Sequence, residues 1–529
     1  MSRVPILILR EGTEQEHEKE ARNRNIKAMQ AIAGTVKSTL GPKGMDKMIV
    51  DSLGDTTITN DGAEILKQLD IENVSAIMMV NLAKSIDEEI GDGTTSAVIF
   101  TASLLEKALD LTEQGIHPQS ITRGYKKAAS REISILEKIA ETISEDDDEM
   151  LINAAKTAMN SRGVLSFKDF FAALALKAVR AVKGTNTVTN VDDIKTVKSP
   201  GKSLSDSELI EGIYLAKGKE HVNMPNSIKD AKIAVIRKKI KPSTGEYDAE
   251  IKIQTPEDIQ KFKDYETTML HDYLKIFKDL GVTMVVNSHD QADKFNAMLA
   301  KEGIVAIKNL GKDDVDTVEK AIGAKLVDDV KNLSADDLGF AKKVRFEKIG
   351  MDDYTIFEGC ENPGTVSILL KGGLENVIKT AEIAIHDVLS VLGKILDTKS
   401  VVAGGGATYM ELSKQLKTFA NEISGKESLA INAFALALEE IPITLIRNAG
   451  LNEIERITEL RAAHKTDADK WVGIDTTTDT IQNNMEHGLI EPTDLLKSII
   501  KSGNEIATLI LRIDRIIRSS SAEKEGFQP

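Results

Sequence analysis

A chain of 529 residues exceeds what one hydrophobic core supports, so roughly two to four domains are expected. A formal charge of −15 argues against a general nucleic-acid binder, which shows a basic face, although it leaves room for a local basic patch. A single cysteine, Cys360, excludes an internal disulfide framework and fits a reducing cytosol, and aromatic residues at 4% leave a mostly aliphatic core suited to helical packing.

The opening residues, MSRVPILILREGTEQ, turn charged too early for a signal peptide, and no uninterrupted apolar run reaches the roughly eighteen residues of a membrane span. Ile26, Met29, Ala33, Val36 and Leu40 recur at spacings of three and four, which predicts a helix over 21–40 that Gly41-Pro42 ends. KMIVDSLGDTTIT reads as two short strands around a Ser-Leu-Gly-Asp turn, and Asn60-Asp61-Gly62 precedes a helix from Ala63. Helices are expected over 75–90 and 94–111, the second with Val98, Ala102, Leu105 and Leu109 on its buried stripe. EDDDE at 145–149 reads as a solvated connector. AKIAVIR, VTMVVN, GIVAI and AKLVDDV are short β-rich runs between helix-like stretches, which predicts an α/β unit over about 220–365. After GTVSILLKGG the pattern is helical again to the end, closing on the amphipathic DLLKSIIKSGNEIATLILRIDRIIRSS. The middle is thus expected to be inserted into one helical domain.

Ile90 to Leu109, IGDGTTSAVIFTASLLEKAL, places two glycines around an acid at the mouth of a helix. Phosphate needs N–H donors that no side chain obstructs, and a helix N-terminus supplies them together with its dipole. Gly93, Thr94, Thr95 and Ser96 have this character. Asp92 would repel phosphate unless a cation lay between them, and Mg²⁺ takes one or two carboxylates plus phosphate oxygens. A plain glycine turn with Asp as a cap explains these five residues equally well. TLGPKGMDKM at 39–48 and VAGGGA at 402–407 are two more glycine loops at helix ends, and neither fits the Walker A spacing. There is no HExxH, no paired-cysteine spacing and no GxSxG elbow. His386-Asp387 lacks the further ligands of a metal phosphohydrolase, and Asp387 lies among the apolar Ile383, Val388, Leu389 and Val391. On these residues the reading is a Mg-nucleotide site, with a Rossmann-type enzyme as the alternative.

STLGPKGMDKM, ITNDGAEIL, GDGTTSAV, SLSDSELIEG, DLGFAKKV, VVAGGGA, NAGLNEIE and LILRID stand in an order and spacing that resemble the group II chaperonins, the family of the archaeal thermosome and, more distantly, the eukaryotic cytosolic chaperonin. The resemblance runs from about Val4 to Ile517. It implies a multi-domain α+β chain. A mainly helical equatorial domain would take 1–148 and 403–529, a small intermediate domain 149–218 and 368–402, and an α/β apical domain 219–367, with a helical lid protrusion at about 243–278. It implies an ATP-dependent chaperone subunit of a cytoplasmic double ring with eight- or nine-fold symmetry. The ring would act on non-native polypeptide, with no nucleic-acid or membrane partner. A ring-forming scaffold or holdase with little ATPase activity is the alternative.

By the same resemblance Asp61 and Asp387 are the catalytic acids that position and activate water, and Asp92 is the Mg²⁺ ligand. Thr39, Leu40, Gly41, Pro42, Gly93, Thr94, Thr95, Ser96, Ser161, Arg162, Gly405, Gly406, Gly473, Asp475 and Glu491 surround ATP, with K⁺ a further candidate ion. Arg162 stands where the family usually has Lys, Asn483 where thermosomes usually have Asp, and Leu374 where Thr is usual. The sequence ends SSSAEKEGFQP in place of a Gly/Met-rich tail.

Overall fold

The computed structural model describes residues 14–50, 54, 56–160, 165–184, 188–210, 212–240, 256–349, 352–360, 366–513 and 515–518. The chain is multi-domain α+β and divides into two units, one formed by Met1–Lys168 with His386–Pro529 and the other by Asp169–Ile385. The middle of the chain is therefore an insertion, as the hydropathy pattern suggested.

In the first unit, Glu18–Lys37, Val74–Ile90, Pro118–Ile139, Lys426–Leu438 and Thr493–Leu511 pack with Thr94–Glu113, and Ala407–Glu422 packs on Lys426–Leu438 and Pro118–Ile139. Thr94–Glu113 is buried on more sides than one stripe accounts for, since Ile99, Phe100 and Leu104 are covered as well as Val98, Ala102 and Leu105. A helix apolar nearly all round sits inside a core. Phe434 meets Phe100 and Tyr125 edge-on, each at 5.4 Å between ring centres, and the Tyr125 hydroxyl donates to the Leu104 carbonyl at 2.7 Å. Lys426–Asn448 is long and apolar enough to cross a membrane, but it is mostly buried and breaks into two helices at Glu439.

The second unit carries a six-stranded sheet in the order Val305–Ile307, Met284–Asn287, Ser227–Ile236, Gly339–Ile349, Asp352–Cys360, Gly212–Leu215. Its first three strands are parallel and the rest antiparallel. Ile233 to Ile236 are fully buried, as expected of a parallel strand covered on both faces. A second sheet orders Ile194–Pro200, Val366–Gly372, Glu208–Ile210.

Several expectations are corrected. AKLVDDV is no strand; it contributes one bridge, Ile236 to Val327, before a 3₁₀ turn at Val330–Asn332. EDDDE is a helix start, because Asp147 accepts from the Met150 amide at 3.1 Å and Asp148 and Glu149 occupy the first turn, where acids complement the dipole. The C-terminal part is not wholly helical. Ser400–Ala403 pairs with Ile490–Pro492, Val472–Asp475 pairs with Thr480–Asn483, and the last helix stops at Leu511 before Arg515–Arg518, which pairs with Glu14–His17. Residues 243–255 of the expected protrusion lie outside the described residues. Leu270, Tyr273 and Phe277 of Pro256–Leu280 belong to the core of the second unit, so that unit claims the later part of the expected 243–278 segment.

Candidate functional site

Two long helices of the first unit open on glycines in the left-handed region. Gly93 (φ 77) precedes Thr94–Glu113 and Gly406 (φ 78) precedes Ala407–Glu422, and neither has a side chain to cap the helix. The first-turn amides that a helix cannot satisfy for itself are thus not taken up by a side-chain cap, which suits them to an anionic ligand. Both openings face one cleft. Leu40, Gly41, Pro42, Asp92, Gly93, Ser96, Gly405, Gly406, Asp475 and Glu491 line it, so residues far apart in the chain converge there.

Close packing fixes these loops. A Cβ on Gly41 would lie 2.4 Å from Leu445 Cδ2, and the Asn448 side-chain amide donates to the Lys37 and Leu40 carbonyls at 3.0 and 2.9 Å. Thr39 is buried and its hydroxyl donates to the Val36 carbonyl at 2.8 Å, so it holds the helix end and does not line the cleft. Gly473 backs the loop at Gly404–Gly406, since its Cβ would lie 3.0 Å from the Ala407 nitrogen. Thr94 and Thr95 are buried against Gly62, whose Cβ would lie 2.4 Å from Thr95 Oγ1.

The last contact places Asp61. It caps Gly62–Lys67, its Oδ2 accepting from the Glu64 amide at 2.9 Å, and that helix start abuts the Gly93–Thr95 turn. Asp387 reaches the same turn from another side. It is 2% exposed on Glu375–Thr398, and Gly91 packs against the helix at Ser390 and Asp387. Asp61, Asp92 and Asp387 thus surround one glycine turn, while His386, exposed on the same helix, takes no part.

The charge pattern is acidic beside the open amides. Asp92 is half-exposed and its Oδ1 accepts from the Gly93 amide at 2.6 Å. Burial, and then the charge of Asp92, pushes Glu491 up to about 8. Burial first, then Glu491, Asp92 and Glu132, hold the Tyr409 phenol well above its usual range, against a hydrogen bond with Ser96. A cation shared between Asp92 and an anionic ligand would relieve this acid-on-acid repulsion, so the donor set fits a hard divalent ion. Among the described residues no group of three or more His, Cys, Asp or Glu side chains forms a metal cage.

Sequence reasoning missed Tyr409, Thr157, Asn160, Thr476 and Thr477, which also line the cleft. Ser161 and Arg162 lie outside the described residues, directly after Asn160. Asn483 turns to Glu486 at 2.8 Å. The neighbouring Asn484 is the one against the glycine loop, fully buried and donating to the Gly404 carbonyl at 3.0 Å. A polar side chain beside GGGA was the available signal, but one-residue register within a hairpin cannot be read from the sequence.

Residues 32–521 match the TCP-1/cpn60 chaperonin family. The chain is 43% identical over 524 residues to a thermosome subunit of Pyrococcus horikoshii, covering 98% of this chain and 95% of that protein. It is 40% identical over 517 residues to thermosome subunit beta of Aeropyrum pernix, covering 97% and 94%. It is 41% identical over 522 residues to a thermosome subunit of Methanopyrus kandleri, covering 98% and 96%.

Proposed function

The chain belongs to the TCP-1/cpn60 chaperonin family, and from that premise we propose that it is an ATP-hydrolysing subunit of a double-ring chaperone that encloses and folds non-native polypeptides. The observation that carries the ATP reading is the cleft itself, where two uncapped helix N-termini converge beside Asp92, with Asp61 and Asp387 behind the same turn. The triphosphate would lie on the amides of Gly93–Ser96 and on the Gly41 loop, with Gly405 and Gly406 approaching the nucleoside side. When bound, Mg²⁺ neutralises phosphate charge, and Asp92 is the residue that would hold it.

Asp61 and Asp387 would orient the attacking water and accept its proton. In phosphoryl transfer, positioning and charge stabilisation do most of the work, so two carboxylates fixed by packing suffice for this role. Asp61 is fixed by its own cap bond and Asp387 by the helix that abuts Gly91.

We divide the chain more finely into three domains: equatorial, 1–148 with 403–529; intermediate, 149–218 with 368–402; and apical, 219–367. The inserted α/β unit would supply the client-binding surface and the lid, whose closure ATP hydrolysis would drive in a cytoplasmic ring. Phosphate release by the purified assembly is the test. Turnover with Mg-ATP, abolished by EDTA and accompanied by recovery of a denatured client, supports the proposal. Nucleotide binding without turnover would make the protein a holdase or scaffold.

A further inference from the structure

His464 is a buried histidine with an acceptor at each ring nitrogen. Nε2 lies 2.7 Å from the Val472 carbonyl oxygen and Nδ1 lies 3.1 Å from Glu411 Oε2. A carbonyl has no proton to give, so Nε2 carries the hydrogen. The contact between Nδ1 and Glu411 then needs one more proton, on the ring or on the carboxyl group.

Both partners lead directly to the cleft. Glu411 stands one turn into Ala407–Glu422, the helix that opens on Gly406. Val472 begins the strand Val472–Asp475, whose Ile474 amide donates to the Gly405 carbonyl at 3.0 Å and whose Asp475 continues into Thr476 and Thr477 along the cleft wall. The carboxyl of Glu411 also accepts from Gln415 at 2.8 Å. Burial pushes that carboxyl up, but the bonds with His464 and Gln415 and the charge of Lys414 hold it below its usual range.

We infer that His464 and Glu411 are a positioning pair that sets the spacing between the Gly404–Gly406 loop and the Asp475–Thr477 wall, and so sets nucleotide affinity without acting in hydrolysis. The inference rests on the nucleotide reading above. The pair ties the first residue of the strand to the first turns of the helix, beside the Ile474–Gly405 bond that joins the same strand to the loop. Asp61 and Asp387 stand by a different loop, at Gly91–Thr95, and do not depend on it.

The test is ADP titration calorimetry together with steady-state hydrolysis on the assembled protein. His464→Gln and Glu411→Leu break the tie and are expected to raise the ADP Kd and the KM for ATP about tenfold, with kcat within about twofold; a factor of ten corresponds to one buried hydrogen bond. Glu411→Gln keeps the tie, because its amide can donate to Nδ1 of a neutral ring, and both constants should stay within about twofold of the wild type. If wild-type protein fails to bind ADP, the nucleotide reading fails. If wild type binds and both tie-breaking variants match it, or if kcat falls while KM is unchanged, the positioning role is overturned. Should His464→Gln fail to assemble, the Glu411→Leu and Glu411→Gln pair decides by the same criterion.

Discussion

Gly91 and Ser390 are neighbours across a contact that only glycine permits: a Cβ on Gly91 would lie 2.4 Å from Ser390 Cβ, one turn along the helix from Asp387, whose Cα would be at an ordinary 3.8 Å. Gly91 also has φ 79, a region that costs an L-residue about 1–2 kcal/mol. Gly91→Ala should therefore push the Asp387 helix from the turn and lower hydrolysis about tenfold or more. Adding Ser390→Gly relieves the clash and should recover part of the rate. Equal rates in Gly91→Ala and wild type, measured by phosphate release, would show that this contact does not set the site.

The acids around the turn should separate by role. Asp61 caps a helix, and an alanine there costs about 1 kcal/mol, so Asp61→Asn is the cleaner variant: it keeps the cap and removes the charge. Asp61→Asn and Asp387→Asn should abolish hydrolysis with ADP affinity nearly unchanged. Asp92→Ala should instead weaken Mg-dependent nucleotide binding itself. Calorimetry beside phosphate release distinguishes these outcomes, and wild-type turnover in either Asn variant removes that acid from the mechanism.

Two buried carboxyls of the first unit respond to pH in opposite senses. Glu132 is fully buried with no hydrogen-bond partner at either oxygen among the described residues, and burial raises it well above the usual 4.5. Its cost to stability is therefore absent below that value and grows as pH rises. Burial also pushes Glu439 up, but Arg461, Lys417 and Ser413 together hold it below 4.5, so its contribution is present above that pH and lost as pH falls through its lowered value. Glu132→Leu should raise the melting temperature at pH 7 and less at pH near 4. Glu439→Gln should lower it at pH 7 and less near pH 4. Thermal melts at both pH values check the signs.

Removal of the lid segment has to respect the core. A deletion through residue 272 would take out the buried Leu270, whereas one confined to 244–263 leaves Leu270, Tyr273 and Phe277 in place. The shorter deletion should leave ATP hydrolysis intact and abolish protection of an enclosed client from protease. Equal protection with and without the segment would remove the lid assignment.

The helical framework was legible because its stripes repeat at three and four residues, as Ile26, Met29, Ala33 and Val36 do. The short strands Ser400–Ala403, Val472–Asp475 and Ile490–Pro492 were not legible: each has three or four residues, too few for a period, and Ser400–Ala403 and Ile490–Pro492 pair with each other across a long stretch of chain. The glycine loops stood out singly. That Gly41, Gly93 and Gly405 face one cleft is a tertiary fact, and so is the alignment of Tyr409, Thr157 and Asn160 beside them. Asn484 was missed by a single position, since sequence marks a polar residue near the loop but not which way a hairpin side chain turns.

The central claim is that this cleft holds Mg-ATP within a ring. Cryo-electron microscopy of the purified protein with Mg-ADP and beryllium fluoride tests it most directly. The account predicts a double ring in each of whose subunits the phosphates lie on Gly41 and Gly93–Ser96, with the metal on Asp92 and the fluoride facing Asp61 and Asp387. A particle without rings, or nucleotide density away from these loops, would contradict it.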